Sequence, residues 1–194
     1  MGDTAVKDPA ERIVEAADAL FYARGIRAVG MDDVRTEAGV SLKRLYAEFP
    51  GKDNLVLAVL RRRHAMWTDG LAAAVDATEG GRAKLLAVYD YLEQWFAEDT
   101  FRGCGFINAF GELGPTSPLV AEFAREHKRS FQDYLAGLVA GVGADPSLAP
   151  QLAILAEGAQ TTAAIDGSTD AAAQARSAAE ILIDAASGTM SAST

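Results

Sequence analysis

Cysteine is almost missing: the 194 residues hold a single one, Cys104. That excludes an intramolecular disulfide, and no CxxC or Cys/His cluster exists to hold zinc. Long apolar runs are also missing, since none approaches the roughly 20 residues of a membrane-spanning helix. The first ten residues are polar and carry Asp3, Lys7 and Asp8, unlike a secretory leader. A soluble, cytoplasmic protein with no membrane partner is therefore expected. Runs of Val, Ile and Thr are scarce, and no stretch alternates apolar with polar residues, so no strands are expected. Catalytic signatures are absent too: there is no nucleophile elbow, no phosphate-cradling glycine loop and no metal-ligand spacing. The two histidines fall in separate segments. Neither an enzyme nor a cofactor is expected.

Apolar residues make up 49% and charged residues 23%, enough for a real core and too ordinary for wholesale disorder. Leu, Ala, Glu, Arg and Gln favour helices. The net charge of −9 argues at first against a nucleic-acid partner. Its distribution changes that. Residues 1–64 hold 11 Lys/Arg and 10 Asp/Glu, whereas the remaining 130 hold 7 and 17. The two parts present different surfaces.

Punctuation divides the chain into about nine helical segments. Asp8 as N-cap and Pro9 at the first helical position open a helix to about Ala23, ended by Gly25. Its apolar face is Ile13, Ala16, Ala17, Leu20 and Phe21. Short helices follow from Asp32 to Ala38 and from Ser41 to Glu48, and Phe49-Pro50-Gly51 then breaks the chain. A long helix, about Lys52 to Asp76, carries the stripe Leu57, Leu60, His64, Trp67, Leu71 and Val75. After Gly80-Gly81 a helix runs from about Arg82 to Glu98. An apolar, aromatic stretch covers Cys104 to Leu113. Later helices span about Ser117 to Val142, Pro146 to Ile165 and Asp170 to Ala186. The Ser/Ala/Thr-rich end is expected to fray.

The segment from Met31 to Leu55 carries chemistry. Two short helices meet at Ala38-Gly39-Val40-Ser41, where Gly39 supplies the left-handed residue a tight turn needs. Val34 and Ala38 can pack on Val40 and Leu45. Ser41 can cap the second helix and offer its hydroxyl to a phosphate. This is helix-turn-helix logic, in which the second helix enters the major groove. Leu42, Lys43, Arg44 and Tyr46 then project outward. Arg44 has the fork to read guanine, Lys43 can reach a base or a phosphate, and Tyr46 suits a phosphate. Lys52 begins the next helix, where free N–H groups favour an anion.

This ordered set resembles the N-terminal domain of the tetracycline-repressor (TetR) family. The pattern runs from Arg12 to Leu60: Ala19-Leu20-Phe21 with Gly25, then Ala38-Gly39-Val40-Ser41, Leu45-Tyr46, Phe49-Pro50, Lys52 and Leu55. The resemblance implies an all-α fold of about nine helices, a homodimer and a palindromic operator in double-stranded DNA. It also implies a transcriptional repressor released by a small-molecule effector. Two departures stand out. Arg35 occupies a place where a small residue is usual, and is expected to meet phosphate or an acidic group. Gly30-Met31 replaces the usual Ser/Thr cap.

The expected organisation is a DNA-binding domain at 1–51, a ligand-binding and dimerisation domain at 52–187 and a disordered tail at 188–194. Bundles place cavities between facing helices. The candidate lining is Trp67, Trp95, Phe106, Phe110 and Phe131, with His64, Asn108, His127 and Thr161 as polar groups. The dimer seam is expected at Leu152, Leu155, Ala159, Ala179, Leu182 and Ile183, where small neighbours allow close approach. The long helix links Lys52 to His64 and Trp67 and is the natural lever between DNA and ligand. Two other functions fit the residues: a helical small-molecule binder without specific DNA binding, and a regulator controlled by a protein partner. Cys104 has only Arg102 as a sequence-near cation, too little to mark an activated thiol.

Overall fold

The computed structural model describes residues 8–191, with side chains for 8–186. Among these residues the chain is all-helical, with nine helices and no strand. It divides into two compact units.

The first unit comprises residues up to His64 together with Gly105–Arg125. It holds α1 (Pro9–Arg24), α2 (Met31–Ala38), α3 (Leu42–Glu48), the start of α4 (Lys52–Asp76), α6 (Gly105–Leu113) and the start of α7 (Pro118–Gly141). Its core is built from Ile13, Ala17, Phe21, Val29, Val34, Leu45, Leu55 and Val56, all buried. Pro9 begins α1 as expected, but the Asp8 side chain makes no capping bond. The exchange at Gly30 is compensated locally: its N–H donates to Asp33 Oδ2 at 2.8 Å, half of a capping box.

The second unit comprises Ala65–Cys104 and the chain from Glu126 onward. It holds the rest of α4 and α7, with α5 (Gly81–Phe96), α8 (Leu148–Asp166) and α9 (Asp170–Ser191). The helix expected from Pro146 begins later, after a turn made by Asp145. Its Oδ1 accepts the Ser147 N–H at 2.8 Å in a local turn, and the helix starts at Leu148. Gly167, with φ 69° and ψ 19°, closes α8 in the left-handed conformation and lets α9 fold back. Leu85, Leu92, Leu135, Leu152 and Ile183 fill the core of this unit. The buried Tyr89 hydroxyl donates to the Leu152 carbonyl at 2.8 Å and ties α5 to α8. Burial pushes the Tyr89 pKa upward, so the phenol stays a donor. Arg82 and Arg176 tie α5 to α9 through Asp184 and Asp90.

The residues expected at the dimer seam require correction. Leu152, Ala159, Ala179 and Ile183 are buried inside the single chain, and Leu155 and Leu182 pack against the same core. Apolar side chains on α8 and α9 serve first to join those helices to α5. The expected tail at 188–194 overlaps the end of α9, and residues 192–194 lie outside the described ones.

Candidate nucleic-acid interface and cavity

The turn between α2 and α3 is made by local chemistry. Gly39 adopts φ 62° and ψ 40°, a region that costs a residue with a Cβ about 1–2 kcal/mol. The Val40 N–H donates to the Arg35 carbonyl at 3.0 Å, which closes the turn. Ser41 then caps α3, its Oγ accepting the Arg44 N–H at 3.2 Å. Leu45 is fully buried against the unit's core and sets the rotation of α3. One face of α3 therefore points inward and the other faces water.

That outer face is the one the spacing predicts. Ser41, Leu42, Lys43, Arg44 and Tyr46 are exposed, and Leu42 and Tyr46 retain 42% and 46% of their surface. An exposed leucine and tyrosine beside two cations offer apolar contact and a hydroxyl next to positive charge, a mixture that suits a DNA groove. Arg44 is held by Glu48, Nη2 to Oε1 at 2.7 Å, on the same helix. Arg35 pairs with Asp32 at 2.6 Å, so its acidic partner lies one turn back on α2.

Lys52 is half-buried. Its Nζ donates to the Val29 carbonyl at 2.6 Å and lies 5.8 Å from the centre of the Phe21 ring. Burial pushes its pKa down, against the opposing fields of Glu112, Asp33 and Asp53. An ammonium has three donors, so one bond to a carbonyl leaves capacity for a phosphate.

Sequence reasoning missed the groups that brace this head. Glu112 on α6 accepts the N–H of Ile26 at 2.9 Å and that of Arg27 at 2.8 Å. Both amides lie in the turn after α1, where Gly25 has φ 86°. Asp18, buried on α1, accepts from both Arg62 and Arg63 on α4. Arg63 also stacks 3.7 Å from the centre of the Tyr22 ring. Ser117 donates to Asp53 at 2.6 Å. No sequence pattern announces contacts across such separations.

The second unit contains a cavity of about 430 Å³. The α4 stretch contributes Trp67, Thr68 and Asp69, and α7 contributes His127, Ser130, Phe131 and Tyr134. Trp67 lies 5.2 Å from Trp95 and 6.0 Å from Phe131, centre to centre. Three residues of the expected lining thus come together: Trp67, His127 and Phe131. Trp95 backs Trp67 without lining the space. The others lie elsewhere. His64 and Phe106 pack on Phe123 in the first unit. Phe110 is exposed there, 5.9 Å below Arg125. Asn108 borders a smaller hollow of about 130 Å³ near Asp18 and Glu112. Thr161 is exposed on α8 and its hydroxyl donates to the Glu157 carbonyl at 3.2 Å.

No group of three or more metal-binding side chains occurs among the described residues. No helix among them is long and apolar enough to cross a membrane.

A short capped helix with a buried leucine inside and basic and aromatic groups outside, set on a glycine turn, defines a helix-turn-helix DNA-binding protein. Residues 13–59 match the family model of the bacterial regulatory proteins of the tetR family. Over 86 residues the chain is 36% identical to the transcriptional activator FasR of Mycolicibacterium smegmatis. That match takes in 42% of this chain and 39% of FasR, so the chain spans about two fifths of that curated relative. Among solved structures, a TetR-family transcriptional regulator from Streptomyces coelicolor superposes with a TM-score of 0.85 at 28% identity, over 92% of this chain and 96% of that one. A protein from Streptomyces avermitilis described as a TetR transcriptional regulator gives 0.81 at 29% identity, over 93% and 99%. Residues 13–59 thus match the DNA-binding domain of the tetR family, and the chain as a whole has the fold of solved regulators described as TetR-type.

Proposed function

We propose that the chain works as a homodimer that lays two copies of α3 into successive major grooves of a palindromic operator, and that a small molecule in the α4/α7 cavity alters this binding. The observation that carries the reading is the outer face of α3, where Leu42, Lys43, Arg44 and Tyr46 stand exposed on a helix locked by Leu45. In this reading Arg44 and Lys43 contact base edges, while Ser41, Tyr46, Lys52 and Arg35 hold phosphates. Arg44 must leave Glu48 to do so.

The dimer surface of this proposal is the outward face of the α8–α9 hairpin. Ile154, Ile165 and Ile181 expose 71%, 78% and 68% of their surface, which is unusual for isoleucine. On α8 Ile154, Gly158, Thr161 and Ile165 are spaced i, i+4, i+7 and i+11, one continuous stripe. Gly158 lets a second helix approach closely. A two-fold pairing of this face with itself makes a four-helix bundle. It also fixes the separation of the two α3 helices, which must match half-sites about one turn of DNA apart.

An effector shifts DNA binding only by its differential affinity for the two states. The lever is α4, whose first residue Lys52 serves the DNA head and whose Trp67 lines the cavity. The sign of regulation is taken as repression, the mode implied by the family resemblance, although the Mycolicibacterium relative is named an activator.

The test is a mobility-shift assay on the DNA flanking the gene, with a salt series and Arg44→Ala. Salt-sensitive, sequence-specific binding that disappears in the variant supports the proposal. Binding that is equal for both proteins overturns the role of α3. A reporter gene behind the operator that rises, rather than falls, when the protein is deleted fixes repression.

A further inference from the structure

We propose that the cavity between α4 and α7 takes an aromatic organic cation, a flat ring system bearing a protonated or quaternary amine. This rests on the reading of that cavity as the effector site and names its ligand class.

Three observations converge. The walls are aromatic: Trp67, Phe131 and Tyr134 present rings to the same space, and Trp67 is buttressed 5.2 Å away by Trp95. The face of an aromatic ring carries negative charge density and attracts a cation within about 6 Å, tryptophan most strongly. Second, the lining contains one carboxylate, Asp69, and neither lysine nor arginine. Asp69 makes no ion pair or hydrogen bond among the described residues. An anionic ligand would meet this carboxylate with no lysine or arginine in the lining to offset it, and a neutral one would leave it unused. Third, the wider field has the same sign. The second unit holds 6 Lys/Arg against 15 Asp/Glu, while the first holds 12 of each, so the whole net charge of −9 resides in the cavity's unit. Such a field draws cations toward the mouth.

The tyrosine adds independent support. Burial raises the Tyr134 pKa, and the field of Asp76 raises it further. The wall is thus partly desolvated and under negative potential, where a cation gains more than in water. Asp69 is exposed, so it sits where a charged head group remains near solvent while its ring enters. Ser130 adds a hydroxyl to the α7 wall. A volume of about 430 Å³ suits a ligand of two or three fused rings.

Three probes with one ring system and one head-group shape separate charge from size: 2-naphthyl-trimethylammonium, 2-tert-butylnaphthalene and 2-naphthalenesulfonate. Calorimetric titration into the full-length protein is expected to give binding of the ammonium about 10-fold or more tighter than the tert-butyl compound, with the sulfonate weakest. Asp69→Asn is expected to reduce the ammonium's advantage about 10-fold and leave the neutral compound unchanged. Ser130→Leu, which fills the space, is expected to weaken both, with circular dichroism confirming the helical content of each variant. A sulfonate that binds as well as the ammonium, or an advantage undiminished by Asp69→Asn, overturns the assignment of ligand class while the cavity stands as a site. Failure of all three probes overturns the site together with the class. DNA binding, measured in parallel by mobility shift, decides the regulator reading separately.

Discussion

At the residue scale, the arginine proposed to read DNA is also a helix surface residue with a partner. Arg44 is 2.7 Å from Glu48, one turn away. An exposed pair of this kind contributes little to stability, so its release for DNA costs little. Arg44→Ala is expected to cost about 1–3 kcal/mol of discrimination at one base pair, read by anisotropy on operators altered at single positions. Glu48→Gln is expected to do the opposite and tighten binding about two- to fivefold, because it frees the guanidinium and removes a negative charge near phosphate. Weaker binding by Glu48→Gln would count against Arg44 as the reader. The exposed face of α3 was legible because its logic is local: a glycine turn, a serine cap, one buried leucine. Glu112 was not, because its carboxylate serves amides 85 and 86 residues distant. Cys104 shows the same limit. Its sequence neighbours include one cation, whereas the Lys128 ammonium lies 3.7 Å from its sulfur and 3.4 Å from Glu157.

At the element scale, α3 is held by few contacts, and each is expected to matter. Leu45→Ala removes a fully buried side chain and is expected to cost about 2–5 kcal/mol, seen as a lower denaturation midpoint. Gly39→Ala forces a Cβ into a left-handed conformation, at about 1–2 kcal/mol, and is expected to loosen the α2–α3 angle before the rest of the unit. The tie between α5 and α9 depends on pH. Hydrogen bonding from Arg82 holds the Asp184 carboxyl below the usual carboxylate range. The folded pKa lies below the unfolded one, so this contribution is complete above about pH 4 and is lost as the pH falls further. Asp184→Asn is expected to lower the melting temperature at pH 7 slightly, with the gap from wild type closing below about pH 3. A gap that persists at that pH would assign the loss to packing. The helix boundaries follow caps and turn residues closely, so the sequence reached them. It could not decide which apolar face of α8 and α9 turns inward. Leu152 and Ile154 read alike in sequence, yet one is fully buried and the other 71% exposed.

At the scale of the whole molecule, the exposed isoleucines allow a test of the proposed dimer. Ile154→Glu with Ile165→Glu is expected to yield monomers in analytical ultracentrifugation, with helical content retained. Operator affinity should fall by orders of magnitude as the paired half-sites are lost. A double variant that stays dimeric would move the interface off this face. The ordering of the chain has another consequence. The path leaves the first unit after His64, returns at Gly105 and leaves again after Arg125. The family model covers residues 13–59, whereas the amides of Ile26 and Arg27 rest on a carboxylate at position 112. The DNA-binding head is therefore not a detachable cassette. A chimaera joined at a single point after residue 51 or 64 inherits the reading helix without its brace. Grafting this head onto another regulator with its brace intact takes two splices, with residues 105–125 travelling alongside the N-terminus.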